Sequence, residues 1–365
     1  MNARSPVLVT EADILQALPV LTYDEIRAAS GWSRGKIYNL ALKHNARKTE
    51  ARIRERVTER KARQLESLAA LIDTTAKADV LDYLDSLPDG AARLILSSIP
   101  YNVGKRYGDG ASADQMAFVY FMGWTMQVIS ECARILKDGG TLFLQVGSTR
   151  DETGGLAPLD ALLFEPLKKT GLTFQSRVIW TQPHGLTPRG RLAERHETAL
   201  VFSKGPSPVF NPTPARKPQK GPGKRAFKGK HKGKLSSHPL GAWPSNVWDD
   251  IGNVGHNHPE RTGHPAQFPL ELARRAVLVY SMPGDLIIDP FSGSGTTHVA
   301  CRETGRSFSG CDLFYEDLRA KRLASVEPDL VSHLPGVSDE TLAVWQAEAR
   351  RVDAPAQTNL LDFLP

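Results

Sequence analysis

The stretch D-P-F-S-G-S-G-T-T at residues 289–297 decides which fold this chain can adopt. It follows the short apolar run 285–289 and opens a segment with helical spacing, 296–304. Glycines at a strand-to-helix turn let the backbone approach a ligand closely, and the free amides at a helix start favour polar or anionic groups. The stretch therefore predicts a nucleotide-like cofactor at the carboxyl end of a buried strand.

A carboxylate follows this turn at the distance expected for a nucleotide site. Asp312 ends the run S-F-S-G-C-D about twenty residues after the glycines, where its oxygens would accept hydrogen bonds from two ribose hydroxyls. The turn lacks the lysine of a phosphate-binding loop and departs from the G-x-G-x-x-G spacing, so ATP and nicotinamide cofactors are disfavoured. A glycine-rich turn without a ligand is the alternative, and the coincidence of strand, glycines, helix and acid argues against it.

Apolar runs and helical patterns alternate from residue 91 onward. The runs typical of buried strands are 93–97, 141–146, 177–180, 198–202 and 285–289, and the main helical patterns are 118–136 and 268–279. Strands that alternate with helices form a mostly parallel sheet that is covered on both faces. The sequence therefore predicts an α/β fold with a doubly wound, mostly parallel sheet.

Length and composition exclude several classes of protein. A chain of 365 residues is long for one domain, and 41% apolar with 24% charged residues is typical of a folded globular protein. No run of about eighteen apolar residues exists, and Glu11 and Asp13 stand where a secretion signal would be basic or apolar. The three cysteines form no C-x-x-C pair, which disfavours disulfides and a thiolate zinc site. We expect a cytoplasmic protein without a metal site or membrane contact.

Positive charge is concentrated in one segment. Residues 204–234 hold ten lysines and arginines and no acidic residue, whereas the whole chain has a net charge of +6. Prolines and glycines interrupt this segment too often for a long helix or a central strand, so we expect a loop or arm. Its obvious partner is a polyanion such as nucleic acid, and the alternative is a solvated loop.

The N-terminal residues have a helix-turn-helix pattern. T-Y-D-E at 22–25 has the form of a capping box, Gly31 breaks the helix that follows, and a second helix starts after a short turn. The side chains of this second helix that could donate to base edges or phosphates are Arg34, Lys36, Tyr38, Asn39 and Lys43. A plain packed helix pair gives the same pattern. Residues 46–76 are interpreted as one long, arginine-rich connecting helix.

The motif S-I-P-Y at residues 98–101 ends the first predicted strand, where open α/β sheets place reactive groups. It resembles catalytic motif IV of S-adenosylmethionine-dependent DNA methyltransferases that act on exocyclic amines, and the 289–297 stretch resembles their motif I. H-P-A-Q-F-P at 264–269 is similar to motif X, and residues 196–202 are similar to motif VIII. Motif IV precedes X and I, which is the order of the β class.

This resemblance, which covers about residues 90–325, implies a Rossmann-like methyltransferase fold and a role for each matching residue. The catalytic residues would be Ser98, Ile99, Pro100 and Tyr101. The residues that would hold S-adenosylmethionine are Asp289, Pro290, Phe291, Gly293, Gly295, Thr296, Asp312, His264 and Pro265. For Asp289 we expect contact with the methionine ammonium rather than a cap on the glycine turn, and Phe291 would pack on the adenine or only on the sheet.

The chemistry of amine methylation suits the S-I-P-Y motif. An aromatic amine is a poor nucleophile because its lone pair is delocalised into the ring. The Ser98 hydroxyl and the Ile99 carbonyl could each accept one N–H and draw the nitrogen toward tetrahedral geometry. Tyr101 would stack on the base, which must leave the duplex because its amine is otherwise out of reach.

The first residue of motif IV bears on the target base. In this family serine there is associated with N4 of cytosine, and Asp or Asn with N6 of adenine. We therefore expect methyl transfer to N4 of cytosine in double-stranded DNA, with N6 of adenine as the alternative. Ile99 stands where the family has a proline, so a second alternative is a DNA-binding regulator with a degenerate site. Methylation of protein glutamine or RNA is disfavoured because motif I precedes motif IV in those families.

The chain is divided accordingly. The predicted parts are a helix-turn-helix-like segment (1–48), a linking helix (49–89), the catalytic half of a methyltransferase domain (90–204), an inserted basic target-recognition region (205–262), the cofactor-binding half (263–330) and a tail (331–365). Further predicted DNA-binding residues are Lys105, Arg106, Arg216, Lys217, Lys224, Arg225, Lys228 and Lys230. Double-stranded DNA and a cognate restriction endonuclease are the expected partners, in a bacterial or phage-encoded setting.

Overall fold

The computed structural model describes residues 10–18, 21, 23–43, 68–108, 112–183, 185, 187–217, 223–236 and 241–326. The strands of its main sheet are β1 (Thr74–Ala76), β2 (Ala92–Ser98), β5 (Leu136–Val146), β8 (Thr173–Thr181), β9 (His196–Ser203), β10 (Val247–Trp248), β11 (Leu286–Asp289) and β12 (Ser307–Cys311). Two small hairpins pair β3 (Arg106–Tyr107) with β4 (Ser112–Ala113), and β6 (Ser148–Arg150) with β7 (Leu156–Pro158).

The eight strands are arranged in the order β1-β12-β11-β2-β5-β9-β8-β10. Every neighbouring pair is parallel except the two that involve β9, which runs antiparallel to β5 and β8. β2 therefore lies between β11 and β5 at the centre of the sheet, and the carboxyl ends of β2, β11 and β12 meet at one edge.

Helices cover both faces of this sheet. They are α5 (Val80–Ser86), α6 (Phe118–Ile135), α7 (Leu159–Lys169), α8 (Leu270–Tyr280), α9 (Thr296–Glu303) and α10 (Glu316–Ala324). On β2, Ile95 packs in the core shared with α5, α6 and α7, while its neighbour Leu94 packs in a second core with α8 and α9. Both sides of the strand are buried, which is why residues 94–96 at its centre are all apolar, and the predicted doubly wound sheet is confirmed. No helix in the described ranges is long and apolar enough to cross a membrane.

Three short helices form the N-terminal unit: α1 (Glu11–Ala17), α2 (Tyr23–Ser30) and α3 (Arg34–Lys43). A capping box starts α1, because Thr10 Oγ1 accepts from Asp13 N and the Asp13 carboxylate accepts from Thr10 N. Gly31 has a φ of +70° between α2 and α3, so the predicted break at this glycine is confirmed. Thr22, the first residue of the predicted capping box, lies outside the described residues.

The N-terminal unit is packed against the sheet through α3. Arg34 is only 2% exposed, and its guanidinium forms ion pairs with Asp85 and Asp82 of α5. One turn further on, Tyr38 Oη donates to the carbonyl oxygen of Gly123 in α6 at 3.0 Å. The prediction that Arg34 contacts DNA is therefore wrong, because its charge is buried against two carboxylates of its own chain.

The predicted linking helix is also wrong where the structure describes it. A one-turn helix, α4 (Leu68–Leu71), is followed by β1, which pairs in parallel with β12 at the edge of the sheet. The helix α5 then packs on the sheet core, so residues 74–86 belong to the sheet domain rather than to a linker. The remainder of the predicted connecting helix, residues 46–67, lies outside the described residues.

The basic segment has little regular structure. In the described parts of 205–262, the helical and strand elements are a single 3-10 turn at Thr213–Ala215 and the two-residue β10. Residues 224–236 double back on themselves through the bridge between Arg225 and Leu235. This agrees with the prolines and glycines of the sequence, which exclude long helices and strands there.

The buried ion pair of Arg34 is expected to stabilise the docked N-terminal unit. Arg34→Ala removes the buried cation that pairs with Asp85 and Asp82, and we expect it to lower the free energy of unfolding by about 3 kcal/mol. Arg27→Ala is the matched control, because Arg27 contacts the same Asp82 at 3.3 Å but is 48% exposed; its loss should stay below ~1 kcal/mol. Urea unfolding measures both, and equal losses would contradict the buried-pair interpretation.

Candidate active site

One cleft brings together the two motifs that the sequence singles out. Its volume is about 650 Å³, and its lining includes residues 98–101 after β2, residues 290–294 after β11, and Asp312 after β12. The strands β2 and β11 are adjacent and parallel, with Ile95 opposite Ile288. The predicted meeting of the S-I-P-Y motif with the glycine turn is therefore confirmed, and the cleft lies at the carboxyl edge of the sheet.

The tyrosine of the S-I-P-Y motif is held by hydrogen bonds. Tyr101 Oη donates to Glu197 Oε2 at 3.0 Å, and Gln145 Nε2 donates to the same oxygen at 2.6 Å. Ser98 Oγ lies 3.1 Å from Tyr101 Oη. Burial and the neighbouring Glu197 raise the pKa of Tyr101, so its hydroxyl proton stays in place at neutral pH. Because the Tyr101 hydroxyl already donates its one hydrogen bond to Glu197, Ser98 must donate to Tyr101, which leaves the serine lone pairs free to accept.

Gly147, directly after β5, lets the Tyr101 ring lie close to the backbone. A Cβ atom at Gly147 would be 2.8 Å from Tyr101 Cε2. Any larger residue after β5 would therefore displace the ring and with it the hydroxyl that contacts Ser98.

Ile99 replaces the expected proline without opening the site. Its side chain is 2% exposed and packs in the core on the α6 side of the sheet. The departure from the family pattern thus exchanges a rigid ring for apolar packing, and the Ile99 backbone carbonyl remains available as an acceptor.

The glycine turn, the histidine of the motif X-like stretch and Asp312 converge on one point. Gly293 has a φ of +47°, and a Cβ atom there would lie 2.8 Å from His264 Nε2. The amide of Gly293 donates to Asp312 Oδ2 at 2.9 Å, and the amide of Phe314 donates to Asp312 Oδ1 at 2.8 Å. Burial raises the pKa of Asp312, which is half-buried and lines the cleft. The turn, the ring and the carboxylate form a cradle that suits a nucleoside.

Asp289 does not fit the expected contact with a methionine ammonium. Its side chain is 1% exposed and is not among the residues that line the cleft. One carboxylate oxygen accepts from Ser97 Oγ at 2.6 Å and from the amide of Phe291 at 3.1 Å, and the other accepts from Thr297 Oγ1 at 2.6 Å. Burial raises the pKa of Asp289 to about 6. The structure places Asp289 in the other role, a cap on the turn that ties it to β2.

The remaining predicted cofactor residues lie around the cleft. Pro290, Thr296 and Pro265 line it, and Gly295 adopts a φ of +77° immediately before α9. Phe291 lines the cleft as well and packs edge-on against Trp124, with ring centroids 5.6 Å apart. Both rings line the cleft, so the aromatic pair offers apolar surface to a ligand.

His264 is neutral in this setting. Its ring lies 4.6 Å from Tyr315 and 5.8 Å from Tyr107, and burial lowers its pKa to about 4. Lys105 and two arginines nearby add to this shift. Lys105, predicted to grip DNA, lines the cleft and donates from Nζ to the Pro265 carbonyl at 3.3 Å.

The other predicted DNA-binding residues divide into two groups. Arg216 donates to the Gly241 carbonyl and stacks on Trp243, and Lys217 pairs with Asp249, so both are engaged within the loops of the basic segment. The exposed side chains are Lys36, Arg106, Lys224, Arg225, Lys228 and Lys230. Lys36 lies at the cleft with its ammonium 3.6 Å from the Trp32 ring centroid. Of Lys43 only the backbone is described, so its prediction lies outside the described side chains.

Sequence reasoning missed Asp79, Gln145 and the role of Glu197. Asp79 caps α5 by accepting from the amide of Leu81 at 2.9 Å, lines the cleft, and has a pKa raised by burial. A signal exists in the sequence, because Asp79 follows a short run with the β-branched pair T-T, which favours a strand over the helix predicted for residues 46–76. Glu197 lay inside the motif VIII-like stretch without an assigned role.

The fold and cleft are those expected for a methyltransferase that acts on an amine, and the comparisons with known proteins agree. A family model described as "DNA methylase" matches residues 92–320. Type II methyltransferase M.BglII of Bacillus subtilis is 37% identical over 71% of this chain and 71% of its own length, and DNA adenine methyltransferase YhdJ of Escherichia coli (strain K12) is 29% identical over 67% and 80%. The chain belongs to this DNA methylase family, whose members methylate N6 or N4 amino groups.

A solved structure shares the fold. PvuII DNA methyltransferase (cytosine-N4-specific) covers 74% of this chain and 92% of its own chain, with a TM-score of 0.51 and 19% identity. The protein is a site-specific DNA amino-methyltransferase of the N4/N6 type, and S-adenosylmethionine is its cofactor. The residues present fit that cofactor, since the cleft offers a close-approach glycine turn, an acceptor carboxylate and an aromatic face.

The Asp312 carboxylate is expected to bind the cofactor directly. Asp312→Asn keeps the side-chain shape but removes the charge that strengthens its hydrogen bonds, so cofactor affinity should fall about tenfold or more. Calorimetric titration with S-adenosylhomocysteine measures this, with exposed Asp317→Asn of α10 as the control. An unchanged dissociation constant would remove Asp312 from the cofactor site.

The Tyr101 hydroxyl is expected to serve turnover and not cofactor binding. Tyr101→Phe keeps the ring for stacking but breaks the links to Glu197 and Ser98, so kcat should fall about tenfold. Cofactor affinity should remain that of the wild type. A single-turnover assay measures the rate of methyl transfer for Tyr101→Phe and for its matched control, Tyr120→Phe, which lies outside the cleft lining. A Tyr101→Phe enzyme with full turnover would show that the hydroxyl only supports packing.

Proposed function

We propose that this protein transfers a methyl group to the exocyclic N4 of cytosine in double-stranded DNA, after the base has flipped into the cleft. The observation that carries the proposal is the Ser98 hydroxyl, which lies in the cleft, 3.1 Å from Tyr101 Oη, and donates toward it. Its lone pairs are then free to accept an N–H of the target amine. The family association of serine at this position with cytosine supports the choice of base.

The catalytic residues have distinct tasks in this proposal. Ser98 Oγ and the Ile99 carbonyl each accept one N–H, which turns the nitrogen lone pair toward the methyl donor. Tyr101 stacks on the flipped base, and Glu197 and Gln145 hold its hydroxyl in place. When bound, S-adenosylmethionine supplies an electrophilic methyl on its sulfonium. Asp312, His264 and Phe291 seat that cofactor in the cradle beside the glycine turn.

Binding of the duplex is assigned to the exposed cations. Lys224, Arg225, Lys228 and Lys230 lie on one doubled-back loop without an acidic side chain in residues 224–236, and such a loop releases counterions from phosphates on binding. Arg106 and Lys36 extend the positive charge toward the cleft. The relative named as a type II methyltransferase supports a cognate restriction endonuclease as partner, in a bacterial cytoplasm.

Methylation of N6 of adenine is the second candidate. It is favoured by the relative named as a DNA adenine methyltransferase, which is 29% identical to this chain. The same hydrogen-bond acceptors would serve an adenine amine, so the bases must be distinguished by experiment.

Nucleoside analysis tests both candidates. DNA from a strain without methyltransferases is incubated with the protein and S-adenosylmethionine, digested, and analysed by mass spectrometry. N4-methylcytosine is the expected product. N6-methyladenine would overturn the choice of base, and unmodified DNA would favour a DNA-binding regulator with a degenerate site.

Loss of the serine hydroxyl should abolish most of this activity. We expect Ser98→Ala to lower turnover about a hundredfold, because one acceptor for the amine is removed, while cofactor affinity is kept. Ser86→Ala, at the exposed end of α5, is the matched control. Turnover that survives in Ser98→Ala would exclude Ser98 from the mechanism.

A further inference from the structure

The N-terminal unit forms one wall of the active-site cleft. Gly35, Lys36 and Asn39 of α3 line the same cleft as the glycine turn and Asp312. The approach is close, because a Cβ atom at Gly35 would lie 3.0 Å from Asp79 Oδ2. A side chain at this position would press on the carboxylate that caps α5.

This wall is fixed in place rather than loosely apposed. Arg34, next to Gly35, is buried in its ion pairs with α5, and Tyr38, next to Asn39, is hydrogen-bonded to α6. Residues four apart lie on the same face of a helix, so Gly35 and Asn39 face the cleft together. The anchors thus determine where the Asn39 side chain can reach.

Asn39 carries an unused acceptor. Among the described residues, no donor lies within hydrogen-bond distance of its Oδ1 atom, which is nevertheless buried. A buried acceptor without a donor is costly, so a ligand N–H at this position would be bound favourably.

The cofactor placement proposed above indicates which ligand group reaches Asn39. The reacting methyl must lie near Ser98 after β2, and the ribose near Asp312 after β12. In the sheet order, β1 lies beyond β12, and the chain that leaves β1 leads to Asp79, beside Gly35. The base of the cofactor therefore extends toward β1 and α3, and the 6-amino group of adenine supplies N–H donors at its edge.

We propose that Asn39 of the N-terminal unit completes the adenine subsite, with its Oδ1 accepting a hydrogen bond from the 6-amino group of S-adenosylmethionine. The helix-turn-helix-like unit is then part of the cofactor site, and the face of α3 that holds Arg34, Gly35 and Tyr38 is closed to a DNA groove. This inference rests on the cofactor placement and is independent of which DNA base is methylated.

Binding measurements without DNA test the proposal. S-adenosylhomocysteine and an analogue with hydrogen in place of the 6-amino group are titrated calorimetrically into the full-length protein. The wild type should prefer the amino form. Asn39→Ala should bind the amino form about tenfold more weakly and lose the preference by the same factor, while its affinity for the analogue is unchanged. Glu11→Ala, on the exposed face of α1, is the control and should match the wild type.

A second variant separates binding from folding. Asn39→Leu keeps most of the side-chain volume, and its thermal unfolding is recorded beside that of Asn39→Ala; a folded variant with the same loss of preference supports the hydrogen bond. Equal weakening of both ligands, or no weakening, would overturn the inference. If Asp312→Asn also leaves affinity unchanged, the cofactor placement itself is wrong; if only Asp312→Asn weakens binding, the role of Asn39 alone is refuted.

Discussion

The hydrogen bond from Ser97 Oγ to Asp289 Oδ1, at 2.6 Å, joins the two strands on which the whole site depends. It lies at the carboxyl edge of the sheet, one residue before Ser98 and one residue before the turn that starts at Pro290. Because Asp289 also accepts from Thr297 and from the Phe291 amide, the same carboxylate shapes the glycine turn and fixes its distance from the S-I-P-Y motif. A contact between Asp289 and a charged group of a ligand would compete with these hydrogen bonds.

A second chain of hydrogen bonds sets the hydrogen-bonding state of Ser98, the proposed catalytic serine. Glu197 accepts a hydrogen bond from the Tyr101 hydroxyl, Tyr101 Oη accepts one from Ser98 Oγ, and the serine is left as an acceptor at the cleft. The order depends on a tyrosine that keeps its proton, and burial together with Glu197 raises the pKa of Tyr101 for that purpose. Methylation of a neutral amine does not require a strong base at its start. It requires hydrogen-bond acceptors in fixed positions, which this arrangement supplies.

The N-terminal unit shows which features a sequence pattern predicts and which it does not. Two of its three helices, α2 and α3, and the break at Gly31 were predictable, since apolar spacing and glycine act locally. The use of Arg34 was not, because an arginine on a helix suits a phosphate and a buried carboxylate equally well. Likewise the sequence pattern predicts the end of a helix where β1 lies. A strand of only three residues is determined by its pairing with β12 and not by its own pattern. Asp79 was overlooked for the same reason.

The sequence by itself determined the alternation of strands and helices, the turn at Gly293 and the acceptor chemistry of Ser98. These features depend on backbone freedom, apolar periodicity and functional groups that each residue carries wherever it lies. Tertiary structure alone decided that Asp289 is a buried cap, that Arg34 docks a helix and that Asn39 faces the cofactor cleft. Burial and hydrogen-bond partners come from segments far apart in the chain, so their effect on a charge or an amide cannot be read from its neighbours in sequence.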